Sequence, residues 1–171
     1  MRTGLAIRSP PLFRICIFLG TLMETVVRKA THGDERQLFA LARSFPTPTP
    51  PEFSAFRHAF ESMLADLSSA LFVAEVEGKV VGYLSGYRHV TFYAGGYVAW
   101  VDEIFVSAHA REMGIGTSLM ENFEAWAAQR DCRLVGLATG GAAAFYEKLG
   151  YASKAGYYKK YLREPSQPPG K

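Results

Sequence analysis

Residues 111–117 read Arg-Glu-Met-Gly-Ile-Gly-Thr. They stand between a strand-like run, "YVAWVDEIFV" at 97–106, and a helical stripe of Ile115, Leu119, Met120, Phe123, Trp126 and Ala127. Two glycines at the start of a helix cost about 1 kcal/mol each relative to alanine, so backbone there has a reason to come close to something. The first N–H groups of a helix lack internal partners and carry the positive end of its dipole, which makes them a seat for a phosphate or pyrophosphate. A glycine turn with no ligand is the competing explanation for these residues taken alone. Their surroundings have to decide.

Around this segment the chain alternates between two periodicities. A strand is expected near 24–29, then a helix near 32–43 with a Thr31-x-x-Asp34 capping box ahead of Leu38 and Leu41. The loop "FPTPTPPE" at 45–52 is too rich in proline for a helix to continue. Phe53, Phe56, Phe60, Met63, Leu64 and Leu67 then recur at threes and fours, an amphipathic helix whose stripe is expected in the core. Runs at 71–76 and 80–88 flank Glu77-Gly78-Lys79 as a hairpin, and 97–106 is a third long strand. After the glycine segment and its helix come a strand at 133–138, a short helix at 142–150 ending in Gly150, and a last strand at 151–162. This order predicts a single α/β (α+β) domain, a mixed sheet with helices on its faces. At 171 residues and 49% hydrophobic, the chain has enough apolar material for one substantial core.

The first 22 residues place basic groups ahead of the apolar run "ICIFLG". A leader needs about 7 to 15 apolar residues and a membrane span about 20, and neither pattern is met. Residues 1–22 are therefore expected to lie outside the fold, with Met23 as the working start, 23–165 as the domain and 166–171 as a tail. The net charge is +3 and the 19 Lys and Arg are scattered, densest only at 157–163, which argues against a nucleic-acid partner. Two cysteines make neither a disulfide framework nor a metal site, which suits a reducing cytoplasm. His32, His58, His89 and His109 lack ligand spacing, so no metal is expected.

Known phosphate-binding patterns narrow the choice. A dinucleotide fingerprint would need a third glycine where Leu119 stands, and a P-loop would need Gly-Lys-Ser/Thr. What remains is a strand, Arg111-x-x-Gly114-x-Gly116-Thr117, an amphipathic helix, a strand, and "AAAFYEKLGY" at 142–151. This ordered pair of motifs, with the opening "VVRKATHGD", resembles the GNAT superfamily of N-acetyltransferases over about residues 24–162. The resemblance implies a mixed, mostly antiparallel central sheet of six or seven strands flanked by about four helices.

It also implies acetyl-coenzyme A as co-substrate. Main-chain amides of Arg111, Glu112, Met113, Gly114, Ile115, Gly116 and Thr117 would hold the pyrophosphate, with hydroxyls from Thr117 and Ser118. Ile104, Phe105 and Val106 would pair with the pantetheine arm like an added strand, and Ala142 and Tyr146 would complete the cofactor side. Relatives commonly carry Asn where Thr139 stands, so that position offers a shorter reach and one donor fewer. Tyr146 is the candidate general acid near the sulfur; the alternative is a packed aromatic beside Phe145. Asp102 and Glu103 are candidate bases, and as neighbours on a strand only one is expected to face the site. The implied activity is acetyl transfer to a primary amine, expected on a small molecule, by direct attack in a ternary complex. A protein or peptide acetyltransferase and a non-catalytic coenzyme A-binding module are the alternatives. The acceptor should enter between the first two helices, the loop at 45–51 and the segments 91–100 and 156–161. No membrane or nucleic-acid partner is expected, and a homodimer through a sheet edge is left open.

Overall fold

The structure is a computed structural model that describes residues 12–18, 21–160 and 162. Its strands are β1 (Leu12–Phe18), β2 (Thr21–Lys29), β3 (Ser69–Val76), β4 (Lys79–Thr91), β5 (Gly96–Val106) and β6 (Cys132–Leu137). Its α-helices are α1 (Glu35–Arg43), α2 (Phe53–Ala65), α3 (Ile115–Ala128) and α4 (Ala143–Lys148). The six strands form one sheet in chain order, every neighbour pair antiparallel except β5 and β6. That parallel pair is forced by the crossover through α3, which carries the chain back to the same end of the sheet. Five strands lie from Thr21 onward and β1 adds a sixth at the edge. The α/β architecture expected from periodicity is therefore present. Among the described residues, no helix is long and apolar enough to cross a membrane.

Two expectations need correction. Leu12–Phe18 was placed outside the fold, yet it pairs in register with β2 from Leu12↔Val27 to Phe18↔Thr21, and Met23 lies inside β2. An apolar run too short for a leader is long enough for an edge strand. Residues 1–11 and the tail at 166–171 lie outside the described residues. The strand expected at 151–162 is also absent, since 151–160 make no ladder with a neighbour. Beyond Tyr151, which packs against the core, residues 152–160 are exposed on both aspects, and Tyr158 is 94% exposed. Without burial, the propensity of tyrosine alone does not hold a strand.

Each face of the sheet has its own core. On one face α3 contributes Leu119, Met120, Phe123 and Trp126 against Phe72, Leu84, Ala99 and Val101. On the other, Leu38, Leu41 and Phe60 from α1 and α2 pack on Val73, Val80 and Tyr83. The start of α1 is fixed to the sheet by charge. Arg28 of β2 makes paired 2.8 Å hydrogen bonds to both oxygens of buried Asp34 and two further ones, at 2.8 and 3.1 Å, to Glu75 Oε2 of β3. Asp34 also accepts from the Thr31 N–H and hydroxyl, the return half of the expected capping box. The Arg28 bonds, foremost among these, hold the Asp34 carboxyl below its ordinary range.

Candidate active site

The register of β5 against β4 slips by one residue midway. Gly86 faces Val101 and Ser85 faces Glu103, so Asp102 is an extra residue on β5. Such a bulge breaks the alternation of side chains. Val101 therefore points toward α3, whereas Asp102 and Glu103 both line the cavity on the α1–α2 side. The expectation that only one carboxylate would face the site holds for a regular strand and fails at this bulge. Glu103 is oriented by Tyr83, whose hydroxyl donates to Oε2 at 2.7 Å. Burial, with Glu103 beside it, raises the Tyr83 phenol far above its ordinary range. Partial burial and the Glu103 charge hold the Asp102 carboxyl above its ordinary value.

The bulge lies one residue beyond the last pair between β5 and β6, Val101↔Leu137. From Asp102 to Val106 the edge of β5 turned toward β6 has no strand partner among the described residues, and a cleft of about 930 Å³ opens along it. This cleft brings together Ile104, Phe105, Val106, Arg111, Glu112, Gly114, Ile115, Gly116, Thr117, Thr139, Ala142 and Tyr146. Two expected members fall outside its lining. Met113 packs against the α3-face core, and Ser118 is buried on the second turn of α3. A helix turns 100° per residue, so Ser118 cannot share the exposed aspect of Thr117.

Backbone geometry explains the glycines separately. Gly114 has φ 75°, a left-handed conformation that caps α3, and Glu112 at φ 65° helps bend the loop into it. The first α3 hydrogen bond on this turn runs from the Ser118 N–H to the Gly114 carbonyl, which leaves the N–H groups of Ile115, Gly116 and Thr117 without helical acceptors. Gly116 is helical, and a Cβ there would meet Phe145 Cζ at 3.3 Å. Its small size thus serves packing against α4 as well as the cleft. Arg111 folds back so that Nε donates to the Val106 carbonyl at 3.2 Å, tying the loop to the end of β5.

On the far wall, Thr139 Oγ1 accepts from the N–H groups of Gly141 and Ala142, holding the turn into α4. Tyr146 is 7% exposed, with its ring edge-on to Phe145 and Tyr151. Burial raises its phenol above the ordinary value, so the hydroxyl keeps its proton at neutral pH.

A second cavity, of about 520 Å³, lies between α1, α2, the proline loop and the sheet. Phe45, Pro46 and Asp102 line both spaces, so cleft and cavity meet at these three residues. Part of the α2 stripe expected in the core also lines this cavity: Phe60 does so from within the core, Phe56 from its edge and Met63 beyond it, while Leu67 is 87% exposed past the helix. The expected entry segment at 91–100 does not reach it, and Phe92 and Tyr93 project from the hairpin tip; Lys159 from 156–161 does line it. Tyr83 and Ser85 were missed as site residues. Their signal was available, since two polar side chains two apart in the apolar run 80–88 share one strand face. Among the described residues, no group of three or more His, Cys, Asp and Glu is placed to hold a metal ion.

Comparison with known proteins places the chain in a family. An uncharacterised N-acetyltransferase of Methanocaldococcus jannaschii is 34% identical over 103 residues, 57% of this chain and 46% of that protein. The chain thus spans a little under half the length of this curated relative. A structure described as a transcriptional regulator from Bacillus halodurans superposes with a TM-score of 0.72 at 26% identity, covering 81% of this chain and 99% of that one. An aminoglycoside N-acetyltransferase in complex with coenzyme A shares the fold at a TM-score of 0.69 and 18% identity, covering 84% and 99% of the two chains. The model of the acetyltransferase (GNAT) family matches residues 35–151, from the start of α1 to the residue that seals Tyr146. That match spans well over half the sequence, and the chain belongs to the acetyltransferase (GNAT) family.

Proposed function

We propose that this protein transfers the acetyl group of acetyl-coenzyme A to the primary amine of a small molecule in a ternary complex. The observation that carries the proposal is the junction at Asp102, Phe45 and Pro46, where a cleft with an open strand edge and a helix N-terminus meets a separate apolar cavity. The cleft suits the cofactor that the family uses. Free N–H groups at the start of α3 would take the pyrophosphate, and the unpaired edge of β5 would take the amides of the pantetheine arm. Two cysteines without a framework support a reducing, cytoplasmic setting.

The chemistry follows from placement. Asp102 or Glu103, directly or through water, takes a proton from the ammonium so that a neutral nitrogen attacks the thioester carbon. An N–H of the β5 edge donates to the developing oxyanion. The carbon–sulfur bond then breaks and the Tyr146 hydroxyl gives its proton to the departing thiolate, while the nitrogen of the tetrahedral intermediate sheds its second proton to solvent, from which the Tyr146 hydroxyl is restored. A phenol kept protonated by burial is suited to this role.

Tyr146→Phe tests the assignment, because it removes the hydroxyl and leaves the ring. Thiol release should fall by about a hundredfold or more, while calorimetry should give an unchanged affinity for acetyl-coenzyme A. Full turnover by the variant would remove Tyr146 from the mechanism. Labelled acetyl-coenzyme A in a cell lysate should mark the low-mass fraction, and labelled macromolecules would instead establish a protein acetyltransferase. A wild type that binds the cofactor and acetylates nothing would be an interaction module.

A further inference from the structure

Ser85 is 3% exposed, lines the smaller cavity, and its Oγ is buried with no hydrogen-bond partner. An unpaired buried hydroxyl is costly and calls for an explanation, such as a group supplied from outside the chain. It sits directly across from Glu103 on β5, two residues along β4 from Tyr83. Tyr83 already occupies Glu103 Oε2, so the carboxylate is held in place with Oε1 left to take a second donor. An orphaned hydroxyl beside an oriented carboxylate makes an acceptor pair suited to the N–H groups of an ammonium.

The rest of the cavity has a different character. Away from Tyr83, Ser85, Asp102 and Glu103, its walls are mostly apolar, Phe45, Phe56, Phe60, Met63 and Leu71 with prolines of the 46–51 loop; Thr47 and Thr49 of that loop add two hydroxyls, and Lys159 is the basic residue among its lining. Two carboxylates and one ammonium leave a net charge of about −1 in the lining, matched to a single cation. A polyamine would drive its second ammonium onto apolar walls or toward Lys159. An aminosugar would bury hydroxyls there with few partners.

We propose that the acceptor is a monoamine on an uncharged apolar body, with its ammonium seated between Ser85 and Glu103 and its body against the α2 aromatics. The proposal rests on the protein being an amine acetyltransferase and names that site's substrate class. Thiol release from acetyl-coenzyme A is measured with 2-phenylethylamine, hexylamine, spermidine, glucosamine and a lysine-containing peptide. The first two should exceed the others in kcat/KM by about thirtyfold or more, the worth of burying one such body. Ser85→Ala should raise KM for 2-phenylethylamine about fivefold to tenfold, with kcat and acetyl-coenzyme A affinity unchanged. Ala59 is exposed on α2 yet lines the cavity, so Ala59→Trp keeps the fold and shortens the space. It should cost 2-phenylethylamine about tenfold in kcat/KM while sparing ethylamine.

Preference for spermidine, glucosamine or the peptide would overturn this substrate class and leave acetyl transfer standing. An unchanged KM in Ser85→Ala would overturn the ammonium seat. Failure of every amine, with acetyl-coenzyme A still bound, would overturn the proposed function and this inference with it.

Discussion

Gly114 and Gly116 differ in what they demand, and alanine at each should separate those demands. At Gly114 the backbone is at φ 75°, where an L-residue costs about 1–2 kcal/mol in strain. For a chain of this size each kcal/mol moves the melting temperature by roughly 2–4 °C, so Gly114→Ala should melt about 2–8 °C lower. Relief of that strain can only come from tilting the first peptide units of α3. Those units carry the free N–H groups of Ile115, Gly116 and Thr117, so acetyl-coenzyme A should bind about tenfold more weakly, equivalent to roughly 1.4 kcal/mol. At Gly116 the conformation is helical, and alanine gains about 1 kcal/mol in propensity. Its Cβ would stand 3.3 Å from the edge of the Phe145 ring, which has to shift by a few tenths of an ångström. The two effects oppose one another, so Gly116→Ala should melt within about 2 °C of wild type. Thermal melts and calorimetric titration of acetyl-coenzyme A on all three proteins provide the comparison. A Gly114→Ala protein that melts and binds like wild type would refute the claim that the left-handed cap organises this site.

Asp34→Asn should cost about 2 kcal/mol at neutral pH, because it breaks the bidentate pair with an Arg28 that is still one-third solvated. The folded carboxyl is held below its ordinary value, so its contribution is present above the unfolded value of about 3.9 and is lost as pH falls through the folded one. The melting gap between wild type and variant should therefore close in acid; a gap that widens would reverse the assignment. If Asp102 is the base, kcat/KM should fall in acid from a pH above the usual carboxylate range, and Asp102→Asn should lose that limb of the profile. An identical profile would pass the role to Glu103 or to water. Gly86→Ala would place Cβ 2.4 Å from the Trp100 carbonyl oxygen and 2.7 Å from Phe123 Cε2, a clash in the central strands. Urea denaturation should show a loss of about 3 kcal/mol or more, and a loss below 1 kcal/mol would mean that the strands give way easily.

Much of the site was legible because its cofactor side is local in sequence. Arg111 to Thr117 form one loop and one helix turn, so the glycine spacing points to an anion seat there and the family resemblance supplies the residues. Thr139 and Tyr146 stand in the next strand-to-helix turn, equally local, but it is the family resemblance, not spacing, that points to them. The acceptor side joins residues far apart in the chain, and there the pattern was ambiguous. Phe56 and Phe60 have the same helical spacing whether they fill a core or line a cavity, since both surfaces are apolar. The paired aspect of Asp102 and Glu103 was hidden for another reason. A bulge is a property of two strands in register, and no run of residues in one strand announces it. The apolar run at 12–18 is too short for a leader yet long enough for an edge strand, and Tyr157 and Tyr158 have strand propensity but no buried face to hold one.

The bulge has a consequence for insertions and deletions that substitutions do not share. Replacing Asp102 by any compact residue keeps an odd member on β5 and so preserves the bend beyond Val101. Deleting it would leave Val101, Glu103, Ile104 and Phe105 in unbroken alternation, each still on its own face, with the kink removed. A straightened β5 could then continue its parallel pairing with the chain after Leu137, and the open edge would be consumed by the sheet itself. The protein would gain hydrogen bonds and lose its cleft. At position 102 the length of the chain matters before its chemistry does, because one surplus residue marks where β5 stops pairing with β6 and its edge is left open.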